Sequence, residues 1–343
     1  MLVSDFNFDL PRELIAQYPP EHRDAARMMV LNRQTGKREL SDFHHFAEHL
    51  HPGDCLVLND TRVIPARLWG HRPNTGGRVQ IFMLESCGER QWQVFLKPGR
   101  RLPVGASVII DGANVAMTVL EKAADGACIV QFDTDDILTM LERFGNTPLP
   151  PYINRPPEES DKERYQTVYA CHPGSVACPT AGLHLTGEIL QELQDKGVRI
   201  ARVTLHVGAG TFKPVEESTV EAHVMHEERY FVSDEAAQTI NDTHRNGKRV
   251  VCMGTTSVRT LESSVIAGTN LIRPGSGRTS IFLYPPQKPQ VADALLTNFH
   301  LPQSTLLMLV CCFCEHQHVM AAYREAVTNG FRFFSYGDCM LLE

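Results

Sequence analysis

The sequence predicts an α/β fold that also contains a small all-β region, and three observations support this prediction. From about residue 187 onward, amphipathic segments alternate with apolar ones and are separated by loops of small residues, as in parallel sheets covered by helices. Between about residues 69 and 146, short alternating segments are separated by turn dipeptides. Residues 1–68 end in an apolar strand that runs into a polar turn.

Capping residues and glycines mark the elements of the α/β region. Thr186 can cap the first helix, and Gly197 can end it. Asn246 and Gly247 end the second helix in the same way. The predicted elements are helices over 187–196, 234–245 and 303–328, strands over 198–207 and 249–253, and a turn over 254–259 that leads into a further helix.

The region between residues 69 and 146 is predicted to be a small β-barrel or sandwich. Alternating stretches such as 91–96 and 127–132 recur with turns between them, at the spacing of about 8–12 residues typical of such folds. A short helix over 135–144 would close this region, and the proline-rich segment 148–157 is a linker or a clamp.

Composition excludes several classes of protein. The chain has 343 residues, of which 43% are hydrophobic and 21% are charged, as in soluble globular proteins of about two domains. Its 33 Lys and Arg and 40 Asp and Glu residues give a net charge of −7. A protein that coats nucleic acid through bulk charge would be basic, so any nucleic-acid site must be a local patch.

Cysteine content and the chain's apolar runs favour a soluble protein of the cytoplasm. Ten cysteines in 343 residues lie below the density of a secreted disulfide scaffold. Asp5 and Asp9 stand where a signal peptide would be positive and then apolar. The longest strongly apolar run, 306–314, is much shorter than the ~20 residues that span a bilayer. We therefore expect free thiols and no membrane association.

Four loops collect small, hydroxyl and charged residues directly after predicted strands. They are residues 59–62, 174–184, 206–212 and 254–259. In open α/β sheets, ligands bind beyond the carboxyl ends of strands, where loops and helix N-termini expose backbone N–H groups. One such loop alone is more often a simple turn, but four together predict a ligand site.

The loop at Gly208 does not match a nucleotide-binding fingerprint. Gly208 and Gly210 fit the first two glycines of the dinucleotide pattern, but Lys213 occupies the third position. The phosphate-binding Walker pattern is absent as well. A Rossmann cofactor site is therefore not expected.

The segment 226–230 contains a candidate acid–base pair. If it is a strand, the two-residue period places His226, Glu228 and Tyr230 on one face and Arg229 on the other. An imidazole beside a carboxylate can transfer protons because each group shifts the pKa of the other. The alternative is an exposed strand with surface salt bridges.

The cysteine- and histidine-rich segment 311–318 resembles a zinc site only superficially. It lies within the predicted long helix, where Cys311, Cys314 and His318 would share one face. A single straight helix cannot surround a metal ion with four tetrahedral ligands. Packing of small apolar thiols against the core is the better explanation, and no metal site is predicted.

Two basic clusters are candidates for RNA contact. Lys97, Arg100 and Arg101 lie in the β-rich region. The second cluster lies in the segment that follows this region, where Arg164 is close in sequence to Tyr152 and Tyr165. Cations combined with aromatic faces suit phosphates and unstacked bases. For either cluster alone, solvated surface charge is the default explanation.

With these motifs in place, the chain resembles the S-adenosylmethionine:tRNA ribosyltransferase-isomerase family of queuosine biosynthesis (the QueA family) from end to end. Many long matches in the same order make the resemblance specific. The matching segments are LIAQYP (14–19), LNDTRVIPAR (58–67), LKPGRR (96–101), PPYI (150–153), YQTVY (165–169), 174–184, LHVGAGTFKPV (205–215), 254–259, TNFHLP (297–302) and FSYGD (334–338).

The resemblance implies a fold and a reaction. A large α/β domain made of residues 1–68 and 147–343 would carry an inserted β-barrel domain over 69–146. The ribosyl part of S-adenosylmethionine would move to 7-aminomethyl-7-deazaguanine at the tRNA wobble position and be isomerised, giving epoxyqueuosine-tRNA, adenine and methionine. S-adenosylmethionine would be a consumed co-substrate, with no cofactor or metal, and the protein would be a monomer.

This chemistry needs a base at the 5′ carbon beside the sulfonium, a proton for the departing adenine and a neutral attacking amine. As catalytic residues we expect His226 with Glu228 first, and Asp338 with His206 second. The expected substrate-binding residues are Thr180, Gly182, His184, Gly208, Gly210, Thr211, Phe212, Thr255, Thr256, Ser257 and Arg259. The expected tRNA-binding residues are Lys97, Arg100, Arg101, Tyr152, Arg164 and Tyr165.

Two alternatives from other classes stay open at this point. A metal-dependent hydrolase would use the cluster at 311–318 and would contain stoichiometric zinc. A non-catalytic RNA-binding module would bind tRNA and leave S-adenosylmethionine intact.

Overall fold

The fold combines a nine-stranded mixed sheet with a closed barrel of six strands, in a computed structural model that describes residues 1–208, 210 and 215–343. Its strands, in chain order, are β1 (Arg27–Leu31), β2 (Arg38–Asp42), β3 (Cys55–Asn59), β4 (Thr61–Val63), β5 (Arg67–His71), β6 (Arg78–Gly88), β7 (Gln91–Lys97), β8 (Ser107–Ile110), β9 (Ala116–Lys122), β10 (Ala127–Phe132), β11 (His172–Ser175), β12 (Arg199–Leu205), β13 (Glu228–Val232), β14 (Val250–Met253), β15 (Gly275–Thr279), β16 (Ala294–Asn298) and β17 (Cys339–Leu342).

The large sheet has the order β15-β13-β12-β3-β14-β16-β17-β1-β2. Its centre is parallel, because β3 pairs in parallel with both β12 and β14, and β14 pairs in parallel with β16. Strands from early and late in the chain meet where β17 pairs in parallel with β1. The sheet therefore cannot be completed by either end of the chain alone.

Helices cover both faces of this sheet. The α-helices are α1 (Ile137–Phe144), α2 (Asp161–Arg164), α3 (Gly187–Asp195), α4 (Asp234–Arg245), α5 (Thr255–Ser263), α6 (Thr305–Val310) and α7 (His316–Thr328). Short 3₁₀ turns occur at Val3–Phe6, Arg12–Leu14, Phe43–His49, Gly99–Arg101, Thr180–His184 and Val220–Ala222. Side-chain oxygens of Thr186, Ser233 and Ser304 cap α3, α4 and α6 by accepting from backbone N–H groups.

The central strands are apolar on both faces, as the sequence of β3 illustrates. Cys55 and Val57 pack into the cluster formed with α4, α5, α6 and α7, whereas Leu56 and Leu58 pack into the cluster formed with α3. Successive side chains on a strand point to opposite faces, so a strand buried on both sides is an unbroken apolar run. This explains why β3, β14 and β16 lack the alternation seen in the barrel.

The barrel closes in the order β10-β7-β6-β5-β8-β9 and has its own core. In β7, Trp92, Val94 and Leu96 are buried inside the barrel, while the side chains between them face outward. Helix α1 packs Ile137, Met140 and Leu141 against the same core. The chain enters and leaves the barrel side by side, since Arg67 and Asn146 exchange backbone hydrogen bonds of 3.3 and 2.9 Å.

The predicted fold class, a large α/β part with a small inserted barrel, is confirmed. The predicted helices at 187–196 and 234–245 are also confirmed, within a residue, as α3 and α4. The bounds of the two domains, 69–146 and the remainder, stay a prediction; the barrel strands themselves run from Arg67 to Phe132.

Two predictions of local structure were wrong. The long helix over 303–328 is two helices, α6 and α7, because the segment between them is held by Arg33, which donates to the Phe313 carbonyl (2.6 Å) and accepts at its own carbonyl from Cys314 (3.3 Å). The turn over 254–259 is the start of α5, since Gly254, with φ of 85°, is the N-cap.

The close approach at the exit of the barrel makes Gly145 intolerant of a side chain. A Cβ at this position would lie 2.1 Å from the Pro65 carbonyl oxygen and 2.6 Å from that of Leu141. Gly145→Ala should lower the free energy of unfolding by about 1–3 kcal/mol, the usual cost of overpacking, measured by urea unfolding. Gly187→Ala, with no atom within 4 Å of the new Cβ, is the matched control. Equal midpoints for the two variants would contradict the predicted clash.

Candidate active site

The carboxyl ends of the parallel strands meet at one edge of the large sheet. The side chain of Asn59, at the end of β3, donates to the Leu205 carbonyl and accepts from the Leu205 N–H, both at 3.0 Å. It thereby ties β3 to the end of β12, where His206, Val207 and Gly208 follow. Two cavities open at this edge.

The larger cavity, about 490 Å³, lies between α5, the Thr180–His184 turn and the segment after β16. Four of the predicted substrate-binding residues line it, namely Thr180, Thr255, Thr256 and Arg259. It is also lined by residues that sequence analysis did not single out individually, namely Thr297, Asn298, His300, Gln303, Ser304 and Ser335. Most of these fall in the TNFHLP and FSYGD segments, which mark them only when read as motifs.

Several buried polar atoms at this cavity have no hydrogen-bond partner among the described residues. They are the hydroxyls of Tyr165 and Thr256, Arg259 Nη2 and Asn298 Oδ1. Leaving a buried polar group unpaired costs about 1–3 kcal/mol, so such groups are typical of sites that a polar ligand completes. The set offers donors and an acceptor to one molecule.

The smaller cavity, about 240 Å³, lies between the outside of the barrel and the edge of the sheet. His206, Gly208, Gly210, His226 and Glu228 line it, so the structure brings these five predicted residues together. Thr211 and Phe212, also predicted to bind substrate, lie outside the described residues. Val207 lines both cavities, which are therefore neighbours.

A buried ion pair forms part of the wall between the two cavities. Glu228, the first residue of β13, binds Arg259 of α5, and the two side chains are only 4% and 5% exposed. Glu228 Oε1 also accepts from the Gly208 N–H at 2.9 Å. Glu228 lines the smaller cavity and Arg259 the larger, so the pair connects them.

The predicted pairing of His226 with Glu228 is not found as a contact. His226 precedes β13 and is exposed, and no hydrogen bond joins it to Glu228 within the described part of the chain. The β-period argument placed both on one face, but strand geometry begins only at Glu228. Both residues nevertheless line the smaller cavity, with the His226 ring packed over Gly210.

His206 is fixed by two contacts. Its Nδ1 lies 2.8 Å from Thr61 Oγ1, and its ring packs on Gly174, where a Cβ would come within 2.9 Å. Thr61 Oγ1 also lies 3.5 Å from the His172 carbonyl oxygen, so the same hydroxyl contacts both His206 and β11. Burial, reinforced by the charges of Arg229 and His172, lowers the pKa of His206 to about 4.

Asp338 does not pair with His206. Its buried carboxylate accepts from the backbone N–H groups of Arg27 (3.0 Å) and Arg332 (2.7 Å) and forms a salt bridge with the Arg27 side chain (3.2 Å). It therefore fixes the start of β1 against β17, a structural task that a lone carboxylate in the sequence does not reveal.

Three other predicted substrate-binding residues are packed into the walls. Gly182 lies against Tyr169, whose hydroxyl would be 2.0 Å from an added Cβ. His184 is 2% exposed and its ring lies 5.2 Å from that of Phe43. Ser257 is buried and donates to the Met253 carbonyl at 2.8 Å. These three residues support the Thr180–His184 turn and α5, which border the larger cavity, through packing and backbone contacts.

The predicted tRNA-binding residues divide into two groups. Lys97, Arg100 and Arg101 are exposed at the end of β7. The others are turned inward: Arg164 donates to the backbone carbonyls of Pro20 and Glu21, Tyr165 is 1% exposed, and Tyr152 packs against Phe334 with ring centroids 4.0 Å apart. Both tyrosines line the larger cavity, so contact of these two residues with RNA stays a prediction.

The cysteine- and histidine-rich segment is split by the break between α6 and α7. Cys311 and Cys312 are buried in the core, and Cys314 Sγ lies 3.8 Å from His318 Nδ1. All ten cysteines are free thiols. Within the described ranges, the three ligand-type side chains found within 4.8 Å of one another are Asp42, His44 and His45, on the surface at the end of β2.

Comparisons with known proteins show the family to which the chain belongs. The model of a family described as queuosine biosynthesis protein matches residues 3–342. The chain belongs to this family. A curated relative from Clostridioides difficile (strain 630), named S-adenosylmethionine:tRNA ribosyltransferase-isomerase, is 50% identical over 100% of both chains. A relative of the same name from Caldanaerobacter subterraneus subsp. tengcongensis is 47% identical, again over 100% of both.

A solved structure is similar to this chain over its whole length. The crystal structure of S-adenosylmethionine tRNA ribosyltransferase from Thermotoga maritima is 38% identical to this chain and has a TM-score of 0.57. The match covers 99% of this chain and 100% of that one. The resemblance found from sequence motifs is thus confirmed over the whole length. Among the described residues, no helix combines the length and apolar character needed to cross a membrane.

Buried histidines predict acid sensitivity of this family member. Burial lowers the pKa of His184 to about 4, with Asp338 opposing, and that of His300 to about 3, as burial also does for His206. Between about pH 4 and 6.5 these rings are neutral when folded but protonated when unfolded. The free energy of unfolding should therefore fall with pH below 6.5, by up to about 1.4 kcal/mol per unit for each ring.

Urea unfolding at pH 7 and pH 5 measures this loss. His300→Gln, whose amide can still bond Thr297 but does not titrate, should show a smaller difference between the two pH values. His22→Gln, at an exposed position, should behave like the parent protein. An unchanged difference in His300→Gln would contradict the assignment.

Proposed function

We propose that this protein transfers and isomerises the ribosyl moiety of S-adenosylmethionine onto 7-aminomethyl-7-deazaguanine at the tRNA wobble position. The products are epoxyqueuosine-tRNA, adenine and methionine. The observation that carries the proposal is the pair of adjoining cavities, one rich in unpaired buried polar atoms, separated by the Glu228–Arg259 ion pair. A two-substrate transfer needs two neighbouring sites with a shared wall.

The larger cavity is the proposed site of S-adenosylmethionine. Its volume of about 490 Å³ falls in the range of small-molecule sites. Arg259 Nη2 and the N-terminus of α5 at Thr255 suit the methionine carboxylate, because both present N–H donors to an anion. The hydroxyls of Thr256 and Tyr165 and the amide oxygen of Asn298 can satisfy the ribose and amino groups.

The reacting centre is proposed at the shared wall. There the amine nitrogen bonds to the ribose while the bond to adenine breaks and adenine takes up a proton, and methionine leaves with the electron pair of the carbon–sulfur bond as the isomerisation forms the epoxide. His226, which lines the smaller cavity, is the candidate base for the proton on the 5′ carbon. Glu228 lies beside it as a fixed negative charge that can stabilise the sulfonium, and it orients Arg259 through their ion pair.

We propose no cofactor or metal for this reaction, since the sulfonium itself activates the neighbouring carbon and S-adenosylmethionine is consumed. We further propose that the protein acts as a monomer in the cytoplasm, where its tRNA substrate is found.

The deciding test is adenine release from S-adenosylmethionine, with and without tRNA carrying 7-aminomethyl-7-deazaguanine. Release that depends on the modified tRNA, with methionine appearing alongside, supports ribosyl transfer. Methylated RNA together with S-adenosylhomocysteine would instead indicate a methyltransferase. Tight tRNA binding without turnover would indicate an RNA-binding module.

Removing the charge of Glu228 should impair turnover, and it should also lower the melting temperature because it leaves a buried Arg259 unpaired, so the rates are compared at a temperature where both variants are folded. Glu228→Gln keeps an acceptor for the Gly208 N–H but leaves Arg259 without its counter-charge. Turnover should fall by about 10²-fold or more, the range for a lost charged group at a reacting centre. Glu159→Gln, in a surface salt bridge where Glu159 is 85% exposed, is the matched control.

Steady-state adenine release and thermal melting are measured on both variants and on Glu228→Gln/Arg259→Gln. Because Arg259 is also the proposed partner of the methionine carboxylate, the double variant should in addition show a higher KM for S-adenosylmethionine than Glu228→Gln alone. A rate for Glu228→Gln within threefold of the control would remove Glu228 from the mechanism.

A further inference from the structure

The smaller cavity is built jointly by the barrel and the sheet. Its barrel side consists of Leu84, Glu85, Gln93, Phe95, Asp125 and Ala127. Its other side is the sheet edge, with Arg229 on β13 and Arg278 on β15. Glu85 joins the two sides by binding Arg229 (3.2 Å) and Arg278 (3.1 Å). The cavity therefore exists only because the barrel is docked on this edge.

One strand of the barrel leads from this cavity to an exposed cationic cluster. Along β7, Gln93, Phe95 and Lys97 share the outward face, because Trp92, Val94 and Leu96 fill the barrel. Lys97 is two residues, about 7 Å, beyond Phe95. Arg100 and Arg101 follow in an exposed turn. An aromatic ring, an amide and a set of cations thus lie in line.

The charges that line the cavity favour a cationic ligand. Among the described residues, its lining has four carboxylates, from Glu85, Asp125, Glu227 and Glu228, and the two guanidinium groups of Arg229 and Arg278. Glu85 and Glu227 are bound to those arginines and Glu228 to Arg259. Asp125 forms no salt bridge within the described chain; its Oδ1 accepts from the Ala127 N–H.

We infer that the smaller cavity is the binding site for a purine-like base bearing a primary ammonium group, with Phe95 as the stacking surface and Asp125 among the groups that recognise the ammonium. Lys97, Arg100 and Arg101 then contact the phosphates of the same RNA strand. Gln93 offers its amide to the edge of the base, and His206 lies in the same lining as a further polar contact. This inference rests on the proposed function and locates its acceptor.

The division of ligands between the cavities follows from their linings. The larger cavity has apolar walls with separate hydroxyl, amide and guanidinium groups. The cations at 97–101 line neither cavity, but Phe95, two residues before Lys97 on the same face of β7, lines the smaller one, which places that cavity nearer to them along the strand. The Glu228–Arg259 wall then keeps the amine next to the donor.

The test is binding of two anticodon stem-loop RNAs to the full-length protein, one with 7-aminomethyl-7-deazaguanine at the wobble position and one with guanine. Phe95→Ala should weaken binding of both RNAs about tenfold, as expected for a lost base–aromatic stack. Phe231→Ala, at a 46% exposed phenylalanine on β13 outside the cavity lining, should change it less than twofold.

Asp125→Asn removes the charge and keeps the acceptor for Ala127. It should reduce the preference for the modified RNA over the guanine RNA about threefold or more, with little effect on the guanine RNA. Glu121→Gln, on the exposed outside of β9, should leave the preference unchanged. The affinity for S-adenosylmethionine alone, measured by calorimetry, should be the same for all four variants.

The outcomes separate this inference from the proposed function. One outcome is that the parent enzyme releases adenine with modified tRNA, while Phe95→Ala binds RNA with the same affinity as Phe231→Ala. In that case the inference fails and the proposed function stands. Loss of S-adenosylmethionine affinity in Phe95→Ala would also overturn it, since the cavity would then hold the donor. Base-dependent binding through Phe95 and Asp125 without adenine release would support the site and overturn the function.

Discussion

The ion pair between Glu228 and Arg259 is the interaction on which the geometry of the site depends. Both side chains are almost fully withdrawn from water, so each charge is tolerated only because the other is present. The pair holds the start of an antiparallel strand against a helix that follows a parallel strand, two elements 31 residues apart in the chain. Their relative position sets the wall shared by the two cavities.

That wall stands at an edge assembled from distant parts of the sequence. The parallel centre of the sheet aligns the ends of β3, β12, β14 and β16, and the Asn59 side chain ties two of these ends together. Loops of small residues can approach a ligand there because the strands beneath them are rigid and buried on both faces. The parallel topology of the sheet therefore accounts both for the rigid, buried strands and for the polar loops at their carboxyl ends.

Much of this was accessible from the sequence, and the exceptions have physical causes. Capping residues and terminal glycines located α3 and α4 because these signals are local. The break between α6 and α7 was missed because Arg33, which is far away in the chain, enforces it. Glu228 was predicted as a catalytic residue and Arg259 as a substrate-binding residue, but their ion pair was not predicted. Two residues that pair from remote segments share no sequence spacing that would reveal the contact. The burial of Tyr165 was not predicted, because an aromatic residue near cations gives the same sequence pattern whether it lies on the surface or lines a cavity.

The adjacent entry and exit of the barrel give the molecule a modular character. Arg67 and Asn146 lie side by side, so the chain enters and leaves the barrel at one place, and a tight turn could join the chain across its base. None of the nine strands of the large sheet would be lost by such an excision. In evolutionary terms the barrel is a replaceable insertion. Its outer surface can change to bind another polymer without changes in the larger cavity or in the sheet that supports it.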